Sequence, residues 1–170
     1  MFRIEASIPG KWDFAAKGPW LNVEKVLEIT LHGGTDPKTG YHFVDLEKRA
    51  EDCGSVRELM ELYKQTLDYF MGLQVETEHI NDEIHIQQDI NAFRSSLVYD
   101  CIERAMDLVE GGSVYSADGG PTAGTISAGD SLAALDEIVF NQKLLTMEQV
   151  LHAMSTCRTG NQGHTVKQGT

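Results

Sequence analysis

The chain has 170 residues, enough for one domain with a buried core. Its hydrophobic share of 41% and charged share of 24% are those of a globular protein rather than a disordered one. A formal net charge of -12 argues against a binder of nucleic-acid backbones, which needs a basic surface, and no apolar run approaches the roughly 18 residues of a membrane helix.

Residues 1–20 read as irregular, with Pro9-Gly10 and Gly18-Pro19 as breakers, and Lys11, Asp13 and Lys17 interrupt any apolar core of a leader peptide. A helix is predicted from Asn22 to His32. Asn22 is its N-cap, Val23, Val26, Leu27 and Leu31 share one face, and Gly33-Gly34 ends it. Residues 35–40 read as a turn.

Ser55, with Glu58 three residues on, forms a capping box that opens the longest periodic segment. Val56, Leu59, Met60, Tyr63, Leu67, Phe70 and Met71 recur at three- and four-residue steps, and the pattern continues through Val75, Ile80, Ile84 and Ile86. This predicts a helix from 55 to the mid-80s, with Gly72 as a point for a bend. A second helix is predicted over 92–109, with a buried stripe of Leu97, Val98, Cys101, Ile102, Ala105, Met106 and Val109. Gly111-Gly112 stops it.

Residues 111–129 are rich in glycine and small side chains, with a β-prone Val114-Tyr115. Asp130 is placed to cap a helix carrying Leu132, Leu135, Ile138 and Val139. Thr146-Met147-Glu148-Gln149 is another capping box, with Leu145 and Val150 as its hydrophobic staple. That helix is predicted to end near Met154. From Ser155 the periodicity collapses, so the domain is placed at 1–154 and an irregular tail at 155–170. The fold class is mainly α with few short strands.

Several constellations invite a chemical reading. Glu76, His79 and Glu83 share a helical face, and Glu76-x-x-His79 has the spacing of half a di-iron site, but no second Glu-x-x-His exists and a solvated polar face is preferred. The glycine-rich stretch lacks the Gly-Lys-Ser/Thr of a Walker loop and the strand before a dinucleotide loop. Cys53, Cys101 and Cys157 form no CxxC pair, which indicates neither a disulfide framework nor a zinc site and fits a reducing cytoplasm. Cys101 falls on the apolar stripe and reads as core. No metal ligand or cofactor-binding residue is assigned.

Three stretches in one order carry a resemblance. The first runs Glu5-Ala6-Ser7-Ile8-Pro9-Gly10-Lys11-Trp12, then Leu21 to Gly34, then Asp36-Pro37-Lys38-Thr39-Gly40. The second is Ser95-Ser96-Leu97-Val98-Tyr99-Asp100-Cys101-Ile102-Glu103-Arg104. The third is Gly111-Gly112-Ser113-Val114-Tyr115, followed by Gly129-Asp130-Ser131-Leu132-Ala133-Ala134-Leu135 and Val139-Phe140. Together they resemble glycyl radical enzymes of the pyruvate formate-lyase and glycerol dehydratase type, where a segment after the active-site cysteine reads Gly-Cys-x-Glu and then Pro-Gly-Lys.

The resemblance implies a portion of a ten-stranded α/β barrel, mostly helices packed outside it. It implies a lyase or dehydratase that acts on a small-molecule substrate by thiyl-radical hydrogen abstraction in anaerobic metabolism. The radical would reside on a protein glycine and be installed by a radical S-adenosylmethionine activating enzyme. That enzyme and a second copy of the chain are the implied partners, with no nucleic acid and no membrane. Glu5 matches the family glutamate that serves as acid/base beside the cysteine. The chain departs from the pattern in three places. Arg3 stands where the cysteine belongs, Lys17 stands where glycerol and diol dehydratases have a substrate-binding aspartate, and R-V-x-G-Y/F is absent from the 170 residues. The expectation is a partial chain, from a truncated, split or frameshifted gene, that is inactive by itself. The alternative is a non-catalytic helical interaction module.

Overall fold

The computed structural model describes residues 8–13, 19–116 and 121–160. In chain order the elements are β1 (Trp12–Asp13), β2 (Leu21–Asn22), α1 (Val23–Leu31), α2 (Val56–Gln88), α3 (Ala92–Ser95), α4 (Cys101–Arg104), β3 (Tyr115–Ser116), β4 (Thr122–Ala123), α5 (Thr125–Leu135) and α6 (Met147–Gly160). Short 3-10 turns occupy Ala50–Asp52 and Leu108–Glu110, and a π-helical stretch, Asp136–Asn141, follows α5. The described residues are therefore mainly helical, with strands of two residues each. The chain divides into two compact units, one of residues 1–21 and 71–122, the other of 22–70 and 123–170.

In the second unit α1 forms where its caps predict. The Asn22 side chain accepts from the Lys25 backbone N–H, and Val23, Val26, Leu27, Ile29 and Leu31 are buried. Tyr63 donates from its hydroxyl to the Val23 carbonyl at 2.9 Å. The Thr30 and Thr66 hydroxyls are 2.9 Å apart, and each also lies within hydrogen-bond distance of the carbonyl four residues back in its own helix. Both are fully buried, so this pair is a satisfied polar link between α1 and α2.

The buried seam of α2 differs from the predicted stripe. Leu59, Leu62 and Thr66 face the core, while Met60 and Met71 are half exposed. Hydropathy alone favoured the methionines over a threonine. What decides the register is the Thr30 hydroxyl across the interface, which gives Thr66 a partner and makes its burial inexpensive. The helix runs without interruption through Gly72.

A turn after α1 is held by one carboxylate. Asp36 accepts from the Lys25 ammonium at 2.7 Å, from the Lys38 backbone N–H at 3.0 Å and from the Thr39 hydroxyl at 2.8 Å. The Lys25 hydrogen bond comes first among the causes that hold the Asp36 carboxyl well below the usual range, followed by the Lys38 and Thr39 bonds. Burial works to lower the Lys25 pKa, but its hydrogen bonds to Asp36 and Glu28 outweigh that and raise it. The sign for Asp36 is that of a depressed carboxylate. Its contribution to stability is complete above the unfolded value of 3.8 and is lost as the pH falls through the lower folded value. Thermal melts from pH 5 down to pH 2 should therefore fall more steeply for the natural chain than for Asp36→Asn. Parallel curves would refute this coupling.

Two further capping boxes can be compared with the sequence. At α6 the Thr146 hydroxyl accepts from the Gln149 N–H at 3.2 Å and the Gln149 amide oxygen accepts from the Thr146 N–H at 2.9 Å, the reciprocal pair read from the sequence. At α2 the Ser55 hydroxyl accepts from the Glu58 N–H, but the Glu58 carboxylate reaches back to the Gly54 N–H and also pairs with Lys48. α6 continues to Gly160, six residues beyond its predicted end. α5 begins at Thr125, not near Asp130, because Gly124 adopts a φ of 76° and turns the chain into the helix early.

The largest correction lies in the first unit. The helix predicted over 92–109 is broken into α3, α4 and the 3-10 turn Leu108–Glu110, with Asp100 and Ala105 both in the left-handed region at φ 74° and 49°. Its stripe is not buried as a whole. Cys101 is, whereas Leu97 and Ile102 are 66% and 68% exposed. The physical reason is a polar hub. The Asp107 carboxylate accepts from the Ser95 hydroxyl at 2.8 Å, the Asn91 N–H at 3.0 Å and the Val109 N–H at 3.1 Å, and the Ser95 oxygen accepts from the Leu108 N–H at 2.9 Å. A continuous helix would hold residues 95 and 107 some 18 Å apart. The segment folds back instead to let them meet.

Candidate functional site

The segment of greatest interest is 8–13, just downstream of Glu5. Residues 1–7 lie outside the described ones, and so do Arg3, Glu5 and Lys17. Lys11 donates its N–H to the Ile8 carbonyl at 3.0 Å, closing a turn at Pro9-Gly10 with Gly10 at φ 73°. The second and third resemblance stretches hold this turn. Tyr99 donates its N–H to the Gly10 carbonyl at 2.7 Å, and Tyr115 donates its N–H to the Lys11 carbonyl at 3.0 Å. The latter belongs to a parallel pairing of β1 with β3, in which Trp12 faces Tyr115 with ring centroids 6.2 Å apart. The Lys11 ammonium sits 6.0 Å from the centroid of the Tyr99 ring.

The second and third stretches are tied to each other as well. The Arg104 guanidinium donates to the Gly111 carbonyl at 3.0 Å and reaches the Gly112 and Ser113 carbonyls at 3.4 Å. Gly112 is required sterically, since a Cβ there would lie 2.4 Å from the Met106 carbonyl oxygen. Burial works to raise the Asp107 pKa, but bonds from Ser95 and from the Val109, Asn91 and Leu108 N–H groups lower it overall. Asp107 thus stays an ionised acceptor, suited to bracing backbone and not to passing protons. Beside it lies a cleft of about 310 Å³ lined by Cys101, Ile102, Met106 and Asp107.

In the second unit α1, α5 and α6 line an apolar groove of about 650 Å³, with Leu27, Leu31, Leu135, Ile138, Val150 and Met154 on its walls. Its charged end carries Lys25 and Glu28, which pair with each other. Glu24 lines it too, but the walls are otherwise mostly apolar, and such a groove suits packing against apolar surface.

The remaining sequence candidates stay apart. Glu76, His79 and Glu83 are exposed along α2, and among the described residues no cluster of three His, Cys, Asp or Glu is placed to hold a metal ion. Cys53 is buried with its thiol directed at the Arg49 carbonyl, and burial raises its pKa against the opposing pull of Lys48. That is the setting of a poor nucleophile. Cys101 is 3% exposed. The side chain of Cys157 lies outside the described residues. Tyr99, Arg104 and Asp107 were not singled out for any role by the sequence. One signal for Asp107 was present: Asp107-Leu108-Val109-Glu110 has capping-box spacing, and both of its reciprocal bonds form. That pattern marks the start of a helical turn, not the interior of a helix. Among the described residues no helix is long and apolar enough to cross a membrane.

Comparison with known proteins agrees with this convergence of motifs. The chain is 30% identical over 155 residues to the Probable dehydratase YbiW of Escherichia coli, covering 89% of this chain and 19% of that protein. It is 30% identical over 153 residues to the Trans-4-hydroxy-L-proline dehydratase of Clostridioides difficile, with the same coverage of each. Among solved structures, that of the Roseburia inulinivorans protein described for 1,2-propanediol dehydration superposes with a TM-score of 0.82 at 30% identity, over 88% of this chain and 19% of that one. The chain thus spans about a fifth of the length of the relatives it matches. The Pyruvate formate lyase-like family model matches residues 4–156, and the chain belongs to that family, the glycyl radical enzymes.

Proposed function

We propose that this chain forms part of a glycyl radical lyase or dehydratase acting on a small, hydroxylated organic substrate. The observation that supports this most is the meeting of parts of all three ordered motif stretches in one unit, where 9–12, 95–104 and 111–115 hold one another through backbone hydrogen bonds and the Arg104 fork. In this reading the helices pack outside a ten-stranded α/β barrel, most of which lies beyond the matched fifth. Glu5 is the acid/base, exchanging a proton with a substrate hydroxyl, and needs a pKa raised by burial to do so. The compartment is the cytoplasm, and the partners are an activating enzyme and a second copy of the chain.

A protein glycyl radical would supply hydrogen abstraction through a cysteine thiyl. Among the described residues no cysteine fits that role. Arg3 stands in the cysteine's place, and Cys53 and Cys101 are buried. No radical step is therefore assigned to residues of this chain.

Two measurements test the reading. The 170-residue chain, supplied anaerobically with S-adenosylmethionine and an activating enzyme, should show no glycyl doublet in electron paramagnetic resonance and no turnover. Residues 4–156 should behave otherwise when they replace the matched stretch of the hydroxyproline dehydratase, with the host's own sequence on either side. That chimera should develop the doublet, and Glu5→Gln within it should abolish turnover while leaving the doublet. A folded chimera that forms no doublet would overturn the assignment.

A further inference from the structure

The part of α2 that belongs to the first unit, from Met71 onward, is turned with its apolar side outward. Its half-buried positions are Gln74, Glu78, Asn81, Asp82 and His85, every one of them polar. A polar contact holds that orientation: the Gln74 side-chain amide donates to the Pro19 carbonyl at 2.7 Å. The opposite side carries Leu73, Ile80 and Ile84, which are 40%, 55% and 47% exposed. An amphipathic helix whose own domain covers its apolar stripe has the reverse arrangement. Spacings of seven and four residues set these three on one line, the a and d seam of a coiled coil, and Thr77 and Gln87 complete it. Thr77 donates its hydroxyl to the Leu73 carbonyl at 2.7 Å, so that group needs nothing from outside the helix. From 73 to 87 the seam is about 21 Å long.

Charge selects what covers it. Glu76 and Glu83 are exposed and, seven residues apart, run along one edge of the seam. Between Lys64 and Arg94 the chain has Asp68, Glu76, Glu78, Asp82, Glu83 and Asp89, and no Lys or Arg. A second copy of the chain is therefore a poor occupant. Antiparallel, it would set Glu76 and Glu83 against the same two glutamates. Parallel, it would offer them Asn81 and Gln88 and no cation. We infer that the outward face of α2 between Leu73 and Gln87 docks a basic amphipathic helix of a separate protein, with Leu or Ile in its seam and Lys or Arg beside Glu76 and Glu83. The apolar seam supplies the affinity, and the two glutamates select the partner and its direction.

The test uses the 170-residue chain and a fluorescein-labelled peptide of three heptads, with Ile at a, Leu at d and Lys at e and g, followed by anisotropy. The peptide should bind with a Kd of about 10 μM in about 50 mM salt, and about tenfold more weakly in about 0.5 M salt. The same peptide with Glu at e and g should bind about thirtyfold more weakly than the Lys peptide. Ile80→Ser together with Ile84→Ser should weaken binding of the Lys peptide about tenfold. Ile126→Ser, at an exposed site on α5, should leave it unchanged. Glu76→Lys together with Glu83→Lys leaves the apolar seam intact and should exchange the preference, so that the Glu peptide binds better. This pair decides if the serine variant does not fold by circular dichroism. A Lys peptide that does not bind, or whose affinity the charge reversal leaves unmoved, would overturn the inference. So would a chain that sediments as a dimer and is dissociated by the two serines, because a second copy would then occupy the face. The hydroxyproline dehydratase chimera separates a partner from the remainder of the enzyme. It should bind the Lys peptide as the 170-residue chain does. A folded chimera that does not bind it would show host sequence covering the face, and the separate partner would be ruled out.

Discussion

Gly34→Ala should destabilise the chain by about 3–5 kcal/mol, whereas Gly33→Ala, one residue earlier, should cost only about 1 kcal/mol. Both glycines have positive φ, 64° and 80°, so both substitutions carry the strain of a side chain in the left-handed region. The difference is steric. A Cβ on Gly33 meets nothing within 4 Å, while one on Gly34 would lie 1.8 Å from the Val44 carbonyl oxygen. That oxygen is backbone, and it sits in a hairpin already tied down by the Phe43 N–H to Gly34 carbonyl bond at 2.9 Å and the bridge between Thr35 and His42. No side-chain rotation relieves the clash. The hairpin must open, and with it goes the seating of Phe43, whose ring lies 5.1 Å from that of Phe70 on α2. Chemical denaturation of the two variants in parallel checks this. Equal losses would mean that φ strain alone governs the site and that the close approach is relaxed at little cost.

This pair also shows where sequence reading stops. Gly33-Gly34 after an amphipathic stripe announces the end of α1, and the helix does end there. Which glycine is indispensable depends on Val44, ten residues away, and periodicity carries no information about that. The same division holds elsewhere. α1, the long α2 and the reciprocal cap at Thr146 were legible because each is decided by neighbours within four residues. The segment 92–109 was misread because its fate is decided across twelve residues, by the Ser95 hydroxyl and the Asp107 carboxylate. Its apolar spacing is real, but leaving Asp107 buried without donors would cost more than a few exposed side chains. The candidate site was legible as motifs and not as geometry. The sequence shows Pro9-Gly10-Lys11, Tyr99 and Tyr115 separately, and only the fold brings them into contact.

The misjudged face of α2 leads to a second large effect. Leu62→Ala should cost about 2–5 kcal/mol and lower the melting temperature by about 5–15 °C. Leu62 is 1% exposed and sits one turn before Thr66, on the seam that α2 presents to the Thr30 side of α1. Truncation removes three carbon atoms from contact and leaves a void whose walls are already fixed. Leu59, one turn earlier on the same helix, is fully buried, and the Thr30–Thr66 hydroxyl pair ties α1 to α2, so little can move in to fill it. The control is Ile80→Ala on the same helix. Ile80 is 55% exposed, and alanine favours the helix more than isoleucine does, so that variant should lie within about 0.5 kcal/mol of the natural chain. Hydropathy ranks Ile80 above Leu62, and the stripe drawn from sequence left Leu62 out altogether. If the two variants melt together, the buried seam of α2 is not 59, 62 and 66, and the Thr30–Thr66 pair does not set the register of α1 against it.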